Sequence, residues 1–500
     1  MSPPLLTRAE RTAFLETSLH ADVMAFIAAL PDPRLHVTSF GVSPQGRELP
    51  LLILSTRGVR TPDDARRIGL PVVLIVDGIH PGEVEGKEAS LALVRDLLAT
   101  SEGDVLAHMT LLVVPLFNPD GNDALDPANR RLDLRKLTGQ IGPVVGTRTQ
   151  SHGINLNRDY LRQAAPEMRL LQSRVCQPWA PDLTIDNHAT NGSLHRFHMT
   201  VDVPHTIETG RPEPIDFMRH KLIPDVMKAV RRRGFHSGWY GNFVEDERVM
   251  DVDGDVDPNS PVREGWMTYP HHPRFGSNYR GLTGRLDILL ECYSYLPFEE
   301  RVATARAWQS ELLAWAATHG PEIQQVVAEA ERPRDNLAIR YKLATFAEPV
   351  EILTRTPRTL EGAETAVTIP HLARFIGAKV VTRPNAYAVP PSLAALLQRH
   401  GLVTTQGTSQ SIDCQVARVE SVGTEGGRGI LEAGAFGDVQ VSWREERRTL
   451  PEGWSLVPTD QRLAGIAAYL CEPESDDGAI ENGGLGAVSV GEEFPAWRVE

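Results

Sequence analysis

The sequence has no long apolar run and few cysteines. No stretch of about 18 uninterrupted apolar residues occurs among its 500 residues, which excludes an ordinary membrane-spanning helix. We expect no membrane partner. The cysteines are scattered without close pairs, which excludes a disulfide framework and a cysteine-rich metal site. They are Cys176, Cys292, Cys414 and Cys471. Charged residues also interrupt residues 1–29, so the apolar core of a signal peptide is missing and we expect a cytoplasmic protein.

The sequence also has fewer positively charged than negatively charged residues. The chain has 51 lysines and arginines against 65 aspartates and glutamates, a formal net charge of -14. A field of this sign repels polyanions, so nucleic acid is not an expected partner. One acidic run could select basic substrates or bind Ca²⁺, although we predict a solvated loop there. Its members are Asp251, Asp253, Asp255 and Asp257. The sequence indicates no oligomeric state.

What is present is an alternation of strands and helices. Apolar, β-branched runs are bounded by turn residues, and segments with apolar residues at helical spacing lie between them. The predicted strands span residues 36–41, 50–55, 72–76, 111–115, 183–186 and 286–290, and the predicted helices span 10–30, 84–99 and 299–318. This order predicts an α/β fold with a mixed, mostly parallel sheet flanked by helices.

The pattern changes near residue 335. Beyond it, short β-type runs are separated by proline, glycine and threonine. The predicted strands there span residues 349–354, 377–381, 386–389 and 437–443, with one helix near 391–400. We therefore predict two domains, a large α/β domain at 1–334 and a smaller β-rich C-terminal domain at 335–500. The acidic, glycine-rich segment 473–486 predicts an ordered turn region or a mobile loop.

Residues able to bind a metal follow the strand at 72–76. In open α/β sheets, ligands bind beyond the carboxyl ends of the strands, and His80 and Glu83 stand at that place. An imidazole and a carboxylate so spaced can converge on one cation if the turn between them is tight, which Pro81 and Gly82 favour. The pattern alone is weak, because a chain with 16 histidines contains about one such pair by chance.

A third ligand is predicted at the end of the strand at 183–186. His188 follows that strand, and with His80 and Glu83 it makes the His, Glu, His set of a catalytic zinc site with one position open for water. Asp186 lies two residues earlier on the same strand face and could orient a ligand histidine. A lone histidine at a strand end is more often structural, so the prediction depends on the other two ligands.

The remaining candidates are a carboxylate and several cations. Glu291 ends the apolar run at 286–290, a position from which a carboxylate beside a metal can take a proton from an activated water and return it to the leaving group. A salt-bridged or helix-capping glutamate is the alternative. Arg135 and the run 155–160 lie between these elements. Guanidinium groups bind carboxylates bidentately and stabilise oxyanions, so one arginine could hold a substrate carboxylate and another an oxyanion.

Five motifs, taken in order, resemble the zinc carboxypeptidase family of carboxypeptidase A-like metallopeptidases. They are 78–83 (GIHPGE), 115–121 (PLFNPDG), 155–158 (NLNR), 186–188 (DNH) and 290–291 (LE). No single motif decides the resemblance, but five of them in the family's order are specific. The resemblance extends over residues 36–315.

The resemblance implies a hydrolase, and specifically a protease that uses one zinc ion per chain. By this likeness His80, Glu83 and His188 match the zinc ligands, and Glu291 matches the catalytic general base and acid.

The likeness also implies a set of substrate-binding residues. Asn157 and Arg158 match the pair that clamps the C-terminal carboxylate of the substrate, and Arg135 matches the arginine that polarises the oxyanion. Tyr279 matches the mobile tyrosine that covers the substrate, with Tyr269 as the second choice.

The chain departs from the family's pattern at one place and extends it at another. Asn155 stands where classical members have an aspartate that supports the first zinc histidine, so zinc affinity or the basicity of His80 is expected to differ. The Pro-Gly pair at 81–82 and the β-rich tail are typical of a bacterial-type branch with an extra C-terminal domain. The tail run 471–478 (CEPESDDG) resembles motifs of such branches.

Three functions are compatible with these observations. The leading hypothesis is a metallocarboxypeptidase that hydrolyses a C-terminal peptide bond. The second is a zinc-dependent deacylase or amidohydrolase that acts on small N-acyl amino acids, and either enzyme would take a carboxylate-bearing substrate. The third is a catalytically silent binding protein on the same scaffold, which the presence of Glu291 beside all three ligands disfavours.

Overall fold

The computed structural model describes residues 5–100, 105–190, 192–244, 264–407, 411–423 and 439–500. The acidic run at 251–257 lies outside the described residues, so the predictions for it remain predictions.

Twenty strands are formed by the described residues. They are β1 Leu35–Val42, β2 Glu48–Leu54, β3 Val72–Val76, β4 Thr110–Val114, β5 Leu183–Ala189, β6 Met199–Asp202, β7 Ser237–Trp239, β8 Asn242–Phe243, β9 Trp266–Met267, β10 Leu286–Cys292, β11 Asn336–Thr345, β12 Val350–Thr356, β13 Ala363–Ile369, β14 His371–Thr382, β15 Ala386–Val389, β16 Thr405–Gln406, β17 Ser411–Val422, β18 Val439–Thr449, β19 Ser455–Pro458 and β20 Glu493–Val499.

The helices lie between these strands. The α-helices are Arg8–Arg11, His20–Ala28, Pro62–Ile68, Glu85–Ala99, Pro119–Asp123, Pro166–Leu170, Gln177–Trp179, Pro212–Phe217, Ile223–Arg232, Gly276–Leu282, Phe298–Glu329, Pro391–Arg399 and Ala464–Cys471. Short 3₁₀ turns span Val105–Ala107 and Leu156–Arg158, and π-helical turns span Leu171–Cys176 and Met218–Leu222. No helix of the described ranges combines the length and the apolar character that crossing a bilayer requires.

The central sheet has eight strands in the order β1-β2-β4-β3-β5-β10-β6-β7. β3 pairs in parallel with β4 and β5, and β5 pairs in parallel with β10. Antiparallel pairs join β1 to β2, β2 to β4 and β6 to β10. The prediction of a mixed, mostly parallel sheet flanked by helices is therefore confirmed.

Both faces of the central sheet are covered, as the apolar run of β3 predicts. Every residue of β3 is buried. Leu74 packs into the hydrophobic cluster on one face, and Val73 and Ile75 pack into the cluster on the other. Successive side chains of a strand point to opposite faces, so both clusters depend on this one strand.

The predicted helix at 10–30 is wrong, because the chain breaks it into two. Ala13 and Phe14 have φ values of 50° and 61°, in the left-handed region that ends a right-handed helix. The ring of Phe14 then packs edge-on against Phe298 at 5.9 Å. The two residues are far apart in the sequence, so no local pattern predicts their contact.

The predicted helix at 299–318 continues further, through the Gly-Pro pair at residues 320–321. The helix Phe298–Glu329 is kinked at His319, where φ is -111° and ψ is 17°. Pro321 lacks an amide hydrogen and fits only at the start of a new helical segment. The pair therefore bends the helix instead of stopping it.

The C-terminal part is rich in strands, as predicted. β11, β14, β9 and β8 form a four-stranded sheet, β12 and β13 pair with each other, and six strands follow in the order β16-β19-β15-β20-β17-β18. His371 of β14 pairs with Trp266 of β9, so one of these sheets includes strands from both sides of residue 334. The division at that residue stays a prediction.

Candidate active site

A cavity of about 500 Å³ opens at the carboxyl ends of β3, β5 and β10. Its lining includes the candidates His80, Glu83, Asn157, Arg158 and Glu291. The parallel pairing explains this convergence, because strands that run in one direction end at one edge of the sheet.

The three predicted metal ligands meet beside this cavity. His80 Nδ1 lies 3.1 Å from Glu83 Oε1, and His188 Nδ1 lies 2.9 Å from Glu83 Oε2. The two Nδ1 atoms are 3.2 Å apart. Tetrahedral zinc with ligand bonds of about 2.0–2.1 Å places its ligand atoms roughly 3.3 Å apart. The donor set and its spacing therefore fit a zinc ion.

The remaining nitrogen of each imidazole also lies close to an oxygen atom. His80 Nε2 donates to Asn155 Oδ1 at 3.1 Å, and His188 Nε2 lies 3.3 Å from Asp186 Oδ1. Metal-bound histidines are generally oriented through their second nitrogen in this way. Asn155 Oδ1 also accepts from the backbone N–H of Asn157 at 3.0 Å, so the neutral residue at position 155 links His80 to Asn157.

The charges around the ligands suit a cation. Burial lowers the pKa of His80 to about 3, so its imidazole is neutral, the form that binds metals. Burial opposes the charge of His188 too, but the carboxylates of Asp186 and Glu83 raise the pKa of that ring well above its usual value. A metal ion held by His80, Glu83 and His188 would supply positive charge beside these carboxylates.

Two arginines approach Glu83 from the side of the cavity. Arg130 Nη1 lies 3.0 Å and Arg148 Nη1 3.3 Å from Glu83 Oε1. Arg130 crosses directly over Gly82, where any Cβ would lie 2.6 Å from the Arg130 Cδ atom. Burial of Glu83 favours its neutral form, but His80, His188 and Arg130 hold its pKa well below the usual range. The ligand carboxylate is therefore ionised.

Glu291 lies on β10 directly opposite His188 of β5. It is half-buried and lines the cavity. Burial raises the pKa of its carboxyl group to about 8, although the nearby His188 opposes the shift. A carboxylate of raised pKa in reach of a reacting group is suited to proton transfer near neutral pH.

Asn157 and Arg158 lie in a short 3₁₀ turn on the cavity wall. The guanidinium carbon of Arg158 lies 3.8 Å from the centre of the Phe275 ring. Asn157 Oδ1 accepts from the backbone N–H of Gly276 at 2.8 Å. A guanidinium stacked on a ring in a cavity is held in one orientation and presents its N–H groups to a ligand anion.

The prediction for Arg135 needs correction. Its side chain is exposed and is not part of the cavity lining. Backbone hydrogen bonds between Asp133 and Thr138 close a tight turn with Arg135 at its tip, so the turn carries this side chain into solvent. Arg130 and Arg148 line the cavity beside Glu83 instead.

The prediction for Tyr279 needs correction too. Its ring is buried and packs beside Tyr160 at 5.5 Å, and its hydroxyl donates to His400 Nδ1 at 2.9 Å. This anchored ring cannot move over a substrate. The second choice, Tyr269, lines the cavity, as does Tyr240.

Sequence reasoning missed Arg148 and Phe275 as residues of the cavity, and it chose Arg135 over its neighbour Arg130. Arg130 stands five residues from the predicted arginine, and nothing in the local pattern distinguishes the two. Arg148 and Phe275 lie in long irregular segments, where no strand or helix fixes the direction of a side chain. Their places depend on contacts between distant parts of the chain.

Comparison with known proteins agrees with this geometry. The family model described as zinc carboxypeptidase matches residues 21–181. Carboxypeptidase 2 of Trichophyton tonsurans is 22% identical over 483 residues, which cover 92% of this chain and 81% of that protein. Carboxypeptidase 2 of Trichophyton rubrum is 22% identical over 486 residues, with the same shares.

Solved structures with some likeness to the chain include two bacterial enzymes. The metallo-carboxypeptidase of Burkholderia cenocepacia is 18% identical and has a TM-score of 0.39, over 60% of this chain and 68% of that one. The metallo-carboxypeptidase of Pseudomonas aeruginosa, in complex with (2-guanidinoethylmercapto)succinic acid, is 18% identical with a TM-score of 0.40, over 61% and 68%. The match of residues 21–181 to the zinc carboxypeptidase family, together with relatives that cover nearly the whole chain, indicates a zinc metallopeptidase.

Proposed function

We propose that this protein is a metallocarboxypeptidase that removes the last residue of a peptide. One observation carries the proposal: a single cavity of about 500 Å³ is lined by two of the metal ligands, by Glu291 and by the Asn157–Arg158 pair. Water activation, proton transfer and recognition of a substrate carboxylate can therefore occur in one place.

His80, Glu83 and His188 are the residues that would hold the zinc ion, which supplies a Lewis acid and lowers the pKa of water when it is bound. Glu291 faces this position from the neighbouring strand. We infer that its carboxylate takes the proton of the attacking water and passes it to the amine that leaves. The raised pKa of Glu291, about 8, supports this inference, because a group whose pKa lies near the working pH can both take up and release a proton.

We assign substrate recognition to the wall of the cavity that contains Asn157, Arg158 and Phe275. Arg158, stacked on Phe275, would bind the C-terminal carboxylate through its guanidinium fork, and Asn157 would support it. Beside Arg158, Tyr269, Phe275 and Leu289 form a buried apolar cluster that lines the cavity. This wall favours a substrate whose last side chain is apolar.

Arg148 is the best candidate for stabilising the oxyanion. Arg130 is nearly buried and donates to the Ala189 and Thr190 carbonyls and to Gln140. These hydrogen bonds fix its side chain in place. The side chain of Arg148 is 48% exposed and lies at the cavity beside Glu83. It can therefore reach a substrate carbonyl without breaking a buried network.

Replacing Arg148 by alanine is expected to lower kcat by roughly 10²-fold with little change in KM, because loss of one preorganised donor to an oxyanion costs about that much. The matched control is Arg135→Ala, which removes the arginine that the motif favoured. We expect its kcat and KM to equal those of the wild type. A large fall in kcat for Arg135→Ala, with Arg148→Ala unaffected, would reverse the assignment.

The proposed function is tested with three substrates at equal concentration: benzoyl-Gly-Phe, its C-terminal amide, and N-acetyl-Phe. We expect hydrolysis of the first, and a kcat/KM for the amide lower by roughly 10²-fold, because the clamp then lacks its anionic partner. Preference for N-acetyl-Phe would identify a deacylase instead. Hydrolysis of none of them by zinc-loaded protein would favour a silent binding protein.

A further inference from the structure

One wall of the cavity is lined by Phe275 and its neighbours in residues 270–277. This segment is a loop that ends in the first turn of the helix Gly276–Leu282, and we call it the substrate loop. Two of its residues touch the carboxylate clamp: the Phe275 ring lies under Arg158, and the Gly276 N–H donates to Asn157. A displacement of the substrate loop would therefore displace both clamp residues.

The tail segment, residues 472–482, contacts the middle of the substrate loop. The carboxylate of Asp477 is fully buried. Its Oδ2 accepts from the Arg274 backbone N–H at 2.9 Å, and its Oδ1 accepts from Arg274 Nε and Nη2 at 3.0 and 2.6 Å. Asn482 Nδ2 also donates to Oδ1 at 2.9 Å. One carboxylate thus holds both the main chain and the side chain of Arg274.

The neighbouring Asp476 makes a second contact. Its Oδ2 lies 2.8 Å from His271 Nε2 and accepts from the Tyr341 backbone N–H at 3.1 Å. The Asp476 N–H donates to the Ile339 carbonyl at 3.1 Å. Tyr341 and Ile339 both belong to β11, so Asp476 connects the start of the substrate loop to a strand of the C-terminal part.

His271, His272 and Asp476 lie close enough together to suggest a second metal site. The two imidazole rings, however, are stacked with an interplanar angle of 25° and centroids 4.5 Å apart. Nitrogen lone pairs lie in the ring plane, so nearly parallel rings do not aim them at one point. The rings of His80 and His188 make an angle of 61°. We therefore interpret the group around Asp476 as a hydrogen-bonded contact.

We propose that Asp476 and Asp477 are positioning residues for substrate binding: they hold the substrate loop in the place where Phe275 and Gly276 fix the carboxylate clamp. This inference rests on the proposed function, because it gives the C-terminal part a task in that same site. It also gives a role to the run 471–478, which resembles motifs of the bacterial-type branch.

The decisive variant is Asp477→Asn, which keeps the size of the side chain. Both carboxylate oxygens accept from Arg274, so the NH₂ group of asparagine would face an N–H donor in either orientation. We expect KM for benzoyl-Gly-Phe to rise about ten-fold with kcat nearly unchanged, the pattern of lost substrate binding. A second measurement, hydrogen exchange, should show faster exchange at the Gly276 amide, whose own acceptor is unaltered.

Glu472→Gln is the matched control. Glu472 is an equally buried carboxylate of the same tail segment, and it pairs with Arg498 at 2.6 Å, away from the substrate loop. If the effect of Asp477→Asn is only a loss of stability, Glu472→Gln should raise KM equally, and that result would overturn the proposal. Unaltered exchange at Gly276 in Asp477→Asn would overturn it as well.

If Asp477→Asn does not fold, Asp476→Asn is the variant to measure, because the Asp476 side chain is 19% exposed. It should also raise KM and speed exchange at the Gly276 amide, though by less. Hydrogen exchange does not require activity. Wild-type protein that cleaves no substrate would therefore refute the proposed function, while the exchange data would still decide whether Asp477 holds the loop.

Discussion

Exchange of Glu291 for glutamine is expected to reduce kcat by about 10³-fold or more while the protein keeps its zinc. Glutamine has nearly the same shape but cannot take a proton from water at neutral pH. Glu291 does not belong to the His80, Glu83, His188 ligand group, and its backbone is paired on both sides, with His188 and with Thr200. The expected defect is therefore chemical and not structural. The measurement is single-turnover hydrolysis of benzoyl-Gly-Phe.

Elemental analysis of the same Glu291→Gln sample separates this explanation from metal loss. Zinc near one equivalent per chain, together with the fall in kcat, would support a role in proton transfer. A variant that retains a tenth or more of the wild-type kcat would show that another group moves the proton. Loss of zinc from the variant would instead make Glu291 part of the metal site.

Substitution of His80 by alanine is expected to lower the zinc content from about one ion per chain to nearly none, because two remaining ligands do not make a stable zinc site. Activity should fall with it. The local fold should persist, since the strand before His80 is buried on both faces and the ligand lies beyond its end. The measurement is elemental analysis of wild-type and variant protein after dialysis, with circular dichroism to verify folding.

The control for this prediction is His271→Ala, which removes a histidine from the other group of potential ligands. We expect it to keep its zinc, because the stacked rings there do not converge on one point. Zinc lost from His271→Ala but kept by His80→Ala would place the metal at the group of His271, His272 and Asp476 and contradict the assignment of all three ligands. Well-folded wild-type protein without zinc would mean that the motifs mark ancestry and not activity.

Strands buried on both faces were the most predictable part of the fold. The run at 72–76 coincides with β3, and the runs at 183–186 and 286–290 begin β5 and β10. A short, continuous apolar run rich in β-branched residues is typical of a strand that is buried on both faces of a sheet. The amphipathic pattern at 10–30 was less decisive, since a tertiary contact of Phe14 breaks that helix.

The residues of the candidate site also differ in how well the sequence predicts their positions. His80, His188 and Glu291 each follow or end a parallel strand, and the pairing of these strands brings their ends together. Arg135 and Tyr279 were placed from motif spacing, and the structure puts neither in the cavity lining. Between a strand end and the next ordered element the chain can turn in many ways, so spacing along the sequence does not fix a distance in space.

The sequence by itself determined the α/β class, the β-rich tail, and the candidate ligands and base, because all of these depend on local hydrophobic patterns and on residues attached to strand ends. Only the tertiary structure decided which arginine and which tyrosine reach the cavity, and that Asp477 of the tail segment binds Arg274 beside it. These contacts join segments 203 residues apart. Their geometry follows from the packing of the whole chain, which no local pattern records.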